Sequence, residues 1–236
     1  MLHVMHLKII GRGKETHKMA KYYIHTCPDR YWYVTEFLIP SMLAQGIKKE
    51  NITVYNDEAK EGTLQSYMRI YSEMPNDNYG TWHLQDDIVI SRHFKERTEQ
   101  YDDGLVCGFC AAYQTAKPHG VVDVKNLWYS YPCIRVPNIL ATECARWFYQ
   151  KASKDKRYES WIEANKFADE FFKVFLNEKY PNLKLRNLSP NLVNHIDYML
   201  GGSTINKNFN KDRTSLYWNE DDVVRKLQAQ INERNH

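Results

Sequence analysis

Thr81-Trp82-His83-Leu84-Gln85-Asp86-Asp87-Ile88-Val89-Ile90 is an apolar, strand-like run that carries two adjacent carboxylates. Two such charges are expensive to bury unless something positive neutralises them. A divalent cation held at the carboxyl end of a strand would do so, and oxygen ligands suit magnesium or manganese. A turn with two solvated acids is the ordinary alternative for an isolated Asp-Asp pair. The run therefore has to be read with its surroundings.

Upstream, strand and helix signals alternate. Tyr22-Tyr23-Ile24-His25-Thr26 reads as a short strand, ended by Cys27-Pro28-Asp29. Tyr31 to Ala44 reads as a helix with Val34, Phe37, Leu38 and Leu43 on one side and Gly46 as its stop. Pro40 predicts a kink in it or a division into two segments. Ile52-Thr53-Val54-Tyr55 is a second strand followed by Asn56-Asp57, and Gly62 precedes a helix spaced by Leu64, Met68 and Tyr71. This alternation predicts an α/β protein with a largely parallel, doubly wound sheet. Ligands bind beyond the carboxyl ends of the strands in such sheets. Cys27 to Asp29, Asn56-Asp57 and Asp86-Asp87 fall at three such ends and are expected to face one crevice.

The second half is more mixed. Phe94 to Tyr101 reads as helical, Gly104 to Cys110 and Leu127 to Ile134 as strands. Pro137 suits the first turn of a helix in which Leu140, Cys144, Trp147 and Lys151 share a face. Trp161 to Lys179 carries helical periodicity through Ala168, Phe171, Phe172 and Phe175, and Asp221 to Ile231 reads as a short amphipathic helix. No repeat or separating linker is visible, so one domain over residues 1–236 is expected, with 1–20 as an N-terminal extension.

Hydrophobic and charged contents of 43% and 26% are those of an ordinary globular chain. A net charge of +3 permits contact with a polyanion without demanding it. Basic residues gather at Lys8 to Lys21, Lys151 to Arg157 and Lys207 to Arg213, which solvated faces also explain. No apolar run reaches the roughly 20 residues of a membrane helix, and Met1 to Met19 lacks a signal-peptide core. A cytoplasmic protein without membrane contact is expected. Five cysteines, an odd number, argue against a secreted disulfide framework. Cys107-Gly108-Phe109-Cys110 matches CxxC, but on a strand its cysteines face opposite sides and no second Cys/His pair completes a zinc site. Core thiols are the expectation.

Ser189-Pro190-Asn191-Leu192-Val193-Asn194-His195-Ile196 is the second informative segment, followed by the donor-rich Gly201-Gly202-Ser203-Thr204. Carboxylates, a late histidine and a Gly/Ser loop describe a site for a metal-bound diphosphate. Gln85-Asp86-Asp87 resembles the DxD-type motif of glycosyltransferases of the GT-A fold, in its x-D-D form. Asn191 to Ile196 with the following Gly-Gly-Ser is similar to the P-x-L-V-x-H-x…S segment of several such families. The resemblance covers roughly residues 22–207 and is closest to small phage- or prophage-type members.

That resemblance implies a GT-A, Rossmann-like fold: a mixed, mostly parallel central sheet flanked by helices. It implies Mn2+ or Mg2+ held by Asp87 and His195, with Asp86 holding the metal through water or the donor ribose. It places Ser203, Lys207 and Arg30 near the phosphates, Asp57 on the nucleoside and Tyr33 against its base. Residues 201–236 would close over the donor site as a loop and helix. Gln85 departs from the family's acid. An inverting transfer needs a base at the acceptor hydroxyl, for which Asp169 is expected, with Glu170 its rival and Glu143 more distant; a retaining enzyme would need none.

The expected activity is hexosyl transfer from a nucleotide-sugar, most readily a UDP-sugar such as UDP-glucose, to a hydroxyl. Hydroxymethylated pyrimidine in phage DNA is favoured over a protein or glycan acceptor, which would place the enzyme in a host cytoplasm. Chemistry on a base requires flipping it or using single strands, and aromatics in Trp128-Tyr129-Ser130-Tyr131 could stack on it. A nucleotidyltransferase is a further alternative, but Gly11-Arg12-Gly13-Lys14 precedes the first strand instead of following it. A non-catalytic nucleic-acid-binding module would leave the carboxylates and His195 unexplained.

Overall fold

The computed structural model describes residues 19–111, 120–123, 132–164, 168–202, 213–215 and 217–235. Strand β1 (Lys21–Thr26) alternates Tyr22, Ile24 and Thr26 toward one face with Tyr23 and His25 toward the other. A 3-10 turn at Pro28–Arg30 leads into a helical run of α1 (Tyr31–Tyr33), a π segment (Val34–Leu38) and α2 (Ile39–Ala44). The sequence predicts a break at Pro40, and the π segment is how the chain meets it. Pro40 has no N–H to give to the carbonyl four residues back. The bonding shifts by one residue just before it, with Ile39 N–H reaching the Val34 carbonyl.

Strand β2 (Ile52–Asn56) is followed by α3 (Thr63–Ser72), which buries Leu64, Tyr67, Met68 and Tyr71 at the spacing expected of an amphipathic helix. The decisive run does not form one strand. Strand β3 (Gly80–Gln85) stops at the acid pair, and β4 (Ile88–Ile90) continues in a different sheet. Helix α4 (Phe94–Thr98) and strand β5 (Leu105–Cys107) are shorter than their apolar patterns suggest.

Strand β6 (Gly120–Asp123) precedes β7 (Cys133–Pro137), which starts later than the Leu127–Ile134 pattern implies; Leu127 to Tyr131 lie outside the described residues. Pro137 ends that strand and caps α5 (Asn138–Gln150), instead of lying in the helix's first turn. The long pattern from Trp161 to Lys179 is divided into α6 (Glu159–Ala164) and α7 (Ala168–Lys179). Two short strands, β8 (Lys184–Asn187) and β9 (Val193–His195), and helix α8 (Asp221–Arg234) complete the order.

Seven strands form one sheet in the order β2-β1-β3-β7-β5-β8-β6. Five of the seven run in one direction and β6 and β7 run opposite, so the sheet is mixed and mostly parallel. Helices α3, α5 and α7 cover one face, burying Phe171, Phe172, Phe175 and Trp147 among them. The helical run α1–α2, helix α8 and the β4–β9 ribbon cover the other, around Trp82, Leu84, Phe94 and Leu192. Each large apolar side chain so buried contributes about 1.5–3 kcal/mol.

Close packing is most demanding at Gly80, where an added Cβ would lie 2.4 Å from the Arg135 guanidinium carbon. Arg135 is itself pinned by bonds to the Gly104 and Asp102 carbonyls, each 2.6 Å. Among the described residues, which include all five cysteines, no disulfide forms, and Cys107, Cys110, Cys133 and Cys144 are buried. No described helix is long and apolar enough to cross a membrane.

Candidate functional site

The carboxyl ends of β1, β2 and β3 lie side by side, because β1 pairs in parallel with both neighbours. After Gln85 the chain leaves the main sheet. Asp87 is held by its own backbone, its carbonyl accepting from Ile196 N–H at 2.8 Å, and Ile88 pairs with His195 across the ribbon. This places the Asp87 and His195 side chains together. Asp87 Oδ1 lies 3.3 Å from His195 Nε2.

The positive charge that the acid pair requires is supplied by Arg30. Its guanidinium is almost wholly buried, lies 3.3 Å from Asp86 Oδ1 and donates to Asp87 Oδ2 and to the Gly202 carbonyl. The 3-10 turn after β1 aims it there, with Arg30 N–H closing back on the Cys27 carbonyl at 3.0 Å. Asp86 is tied to the same strand end: its Oδ2 accepts from Thr26 Oγ1 at 2.9 Å and from Cys27 N–H at 3.3 Å. Burial and the neighbouring Asp87 charge push Asp86 above the usual carboxylate range, against Arg30 and Thr26. Burial pushes Asp87 the same way, but His195, Arg30 and Arg213 outweigh it and hold its carboxyl low.

Behind the imidazole, Asp197 Oδ1 lies 3.1 Å from His195 Nδ1. Arg213 bridges the two, with Nη1 2.9 Å from Asp197 Oδ2 and Nη2 2.7 Å from His195 Nε2. A guanidinium nitrogen can only donate. Nε2 is therefore assigned as the acceptor and the ring proton to Nδ1, which lies near Asp197 Oδ1 but makes no hydrogen bond among the described residues. The carboxylate thus stands beside the ring nitrogen opposite the one that faces Asp87, where the outer partners of metal-ligating histidines lie.

The remaining expected residues divide. Tyr33 is a correction: it is 1% exposed, its hydroxyl donates to the Ile88 carbonyl at 2.6 Å and its ring stacks on Phe37, so it is a core residue with no face open to a base. Asp57 stands at the end of β2 as expected, but its oxygens accept from Glu61 N–H at 2.8 Å and Gly62 N–H at 3.0 Å, which shapes the loop into α3. Gly62, at a φ of 89°, takes the backbone that this loop needs.

Asp169 and Glu170 open α7, where Glu170 N–H donates to Asp169 Oδ1 at 3.0 Å. Burial, then the Glu170 charge, push Asp169 up to about 6. Asp169 and Asp87 both act electrostatically on Tyr67 and on Arg213, so the start of α7 lies within electrostatic range of the acid pair. Glu143 instead pairs with the Tyr180 hydroxyl. Ser203 and Lys207 lie outside the described residues. Helix α8 docks on the helical run, with Arg234 bonded to Glu36 at 2.6 Å and stacked 4.2 Å over Trp32; Gly202 and Arg213 are the described parts of the 201–236 segment that touch the acid cluster.

Sequence reasoning missed Asp197 and Arg213. The signal for Asp197 was its place two residues after His195; Arg213 was visible only as part of a basic cluster. It also missed His25, whose Nε2 is buried without a hydrogen-bond partner among the described residues and which burial pulls down to about 4 despite the nearby Asp57 and Asp87.

Among the described residues no group of three or more His, Cys, Asp or Glu side chains forms a metal cage. Two donors do fit one ion. Asp87 Oδ1 is buried with no hydrogen bond to it among the described residues, and its 3.3 Å separation from His195 Nε2 is close to the roughly 3 Å between adjacent ligands of an ion bound at about 2.1 Å. Magnesium and manganese sites commonly take one or two protein ligands and leave the rest to phosphate and water. A scan against protein-family models finds no match for this chain, and a search of curated proteins finds none either. Fold and geometry together define an α/β protein with a buried carboxylate–imidazole cluster, balanced by arginines, at the carboxyl edge of its sheet.

Proposed function

We propose that the chain is a metal-dependent glycosyltransferase of GT-A type that moves a sugar from a nucleotide-sugar, first of all a UDP-sugar, to a hydroxyl group. The observation that carries this reading is the buried, undonated Asp87 Oδ1 facing His195 Nε2 at 3.3 Å, at the strand ends where α/β sheets bind ligands. A divalent cation bound by Asp87 and His195 would supply Lewis-acid stabilisation of the departing diphosphate.

The chain's own groups do the rest. Asp197 sets a carboxylate 3.1 Å from His195 Nδ1, the ring nitrogen away from Asp87. Thr26 and Cys27 hold Asp86 in place beside them, and Arg30 remains as a permanent counter-charge. Asp169 is the group positioned to accept the proton of the acceptor hydroxyl. Its raised value, about 6, makes it a stronger base than a solvated aspartate while leaving it ionised at neutral pH. Transfer should therefore rise with pH through about 6, and Asp169→Asn should remove that limb together with most of the rate. A product that retains the donor's anomeric configuration would exclude this role.

The test is a panel of nucleotide-sugars against hydroxymethylated DNA, protein and glycan acceptors, with product mass read with and without Mn2+. Mass addition that requires the ion supports the proposal. Transfer that is indifferent to chelation overturns it.

A further inference from the structure

We propose that Arg213 couples cation binding to diphosphate binding: its guanidinium caps His195 and Asp197, and it passes to the diphosphate when a divalent cation takes its place. The inference rests on the reading of Asp87 and His195 as a cation site.

Arg213 Nη2 sits 2.7 Å from His195 Nε2, the ring nitrogen whose lone pair a cation needs. One lone pair cannot serve both, so a bound cation and this contact exclude each other. Two arginines flank Asp87, and they differ in burial. Arg30 has a side chain 3% exposed and engages Asp86, Asp87 and the Gly202 carbonyl. Arg213 is 24% exposed and reaches the cluster from the outer side through His195 and Asp197. Arg213 is the one that yields.

Charge agrees with the exchange. Asp86, Asp87 and Asp197 face Arg30 and Arg213. With the imidazole neutral, as a cation's nitrogen ligand must be, removing Arg213 leaves three carboxylates against one guanidinium, an excess of two negative charges that a divalent cation balances. The displaced guanidinium has a destination. Arg213 lowers the carboxyls of both Asp87 and Asp169, so its guanidinium stands within electrostatic reach of the start of α7 as well as of the acid pair. Guanidinium groups form paired bonds with phosphate oxygens. A cation arriving alone must strip Arg213 from its partners; one arriving with a diphosphate gives it new ones. By linkage each ligand then tightens the other.

Mn2+ binding to the full chain, followed by electron paramagnetic resonance with and without saturating UDP, tests this, with inorganic pyrophosphate as the base-free comparison. Wild type should bind Mn2+ about tenfold more tightly when UDP or pyrophosphate is present. Arg213→Gln should bind Mn2+ alone more tightly than wild type and lose most of that gain. Arg213→Lys should lie between the two, and Arg225→Gln, on an exposed turn of α8, should match wild type. Mn2+ affinity and coupling unchanged in Arg213→Gln overturn the role of Arg213 while leaving the cation site standing. Absence of Mn2+ binding in wild type overturns both.

Discussion

His83 and the Asp86-Asp87 pair lie on or just beyond the same strand, three residues apart, and both are withdrawn from water. They meet burial in opposite ways. Both ring nitrogens of His83 lack a hydrogen-bond partner among the described residues, and burial alone pulls the imidazole down to about 3. Enclosed by Tyr23, Tyr67 and Tyr71, it stays buried by giving up its proton. Asp87 keeps its charge, and two arginines, a histidine and a further aspartate assemble around it. A buried base that discards its charge needs only packing. A buried acid that keeps its charge needs counter-charges, and counter-charges that can be exchanged are what a cation and a diphosphate use.

The comparison breaks most severely at Arg30. Arg30→Met removes the buried guanidinium and leaves the acid pair without its nearest cation, which costs about 3–5 kcal/mol at neutral pH. The folded carboxyls would then titrate above their unfolded values, so the loss should be greatest at neutral pH and shrink as pH falls and they protonate. Urea unfolding at pH 7 and pH 5 measures this; equal stability to wild type at pH 7 would show that Arg30 does not keep the pair buried.

His83 predicts a pH dependence of a different kind. Its folded value, near 3, lies below the ordinary 6.5, so the unfolded chain takes up the proton first. The stability due to its neutral form is complete above about 6.5 and is lost progressively down to about 3. His83→Phe should flatten that acid limb and cost little at pH 7, the difference at pH 4 amounting to on the order of a few kcal/mol. An acid limb identical to wild type would mean that other groups set it.

The smallest effect is expected at Tyr33. Tyr33→Phe loses one buried hydrogen bond, worth about 1 kcal/mol, and should leave UDP affinity unchanged. A large loss of UDP affinity without a loss of stability would return Tyr33 to the ligand site.

How much could be read from sequence follows from the kind of signal. The strand–helix alternation of residues 22–85 was visible because its apolar spacing is regular, and it put Asp57 and the acid pair at strand ends. The break at Asp86-Asp87 was not visible, since Ile88, Val89 and Ile90 prolong the apolar pattern while pairing with β9 in another sheet. Strands as short as β8 and β9 carry too few residues to show a period. His195 was singled out by resemblance and by the Gly/Ser loop after it. Its partners were not, because Asp197 and Arg213 reach it through turns that no spacing rule encodes. Arg30 was expected on phosphate, and the need for a cation beside the two buried aspartates was read as a metal's; the structure sets Arg30 against both. Tyr33 misled because an aromatic after a first strand can pack either inward or on a ligand, and here its hydroxyl reaches the Ile88 carbonyl and its ring stacks on Phe37 in the core.

The central claim is that Asp87 and His195 form a divalent-cation site. Mn2+ titrated into wild type and Asp87→Asn in the presence of UDP, with the free ion read by electron paramagnetic resonance, tests it without reference to turnover. The account predicts one tightly bound ion per wild-type chain and none in the variant, with His195→Ala weakened in the same direction. Equal binding in wild type and Asp87→Asn would contradict it.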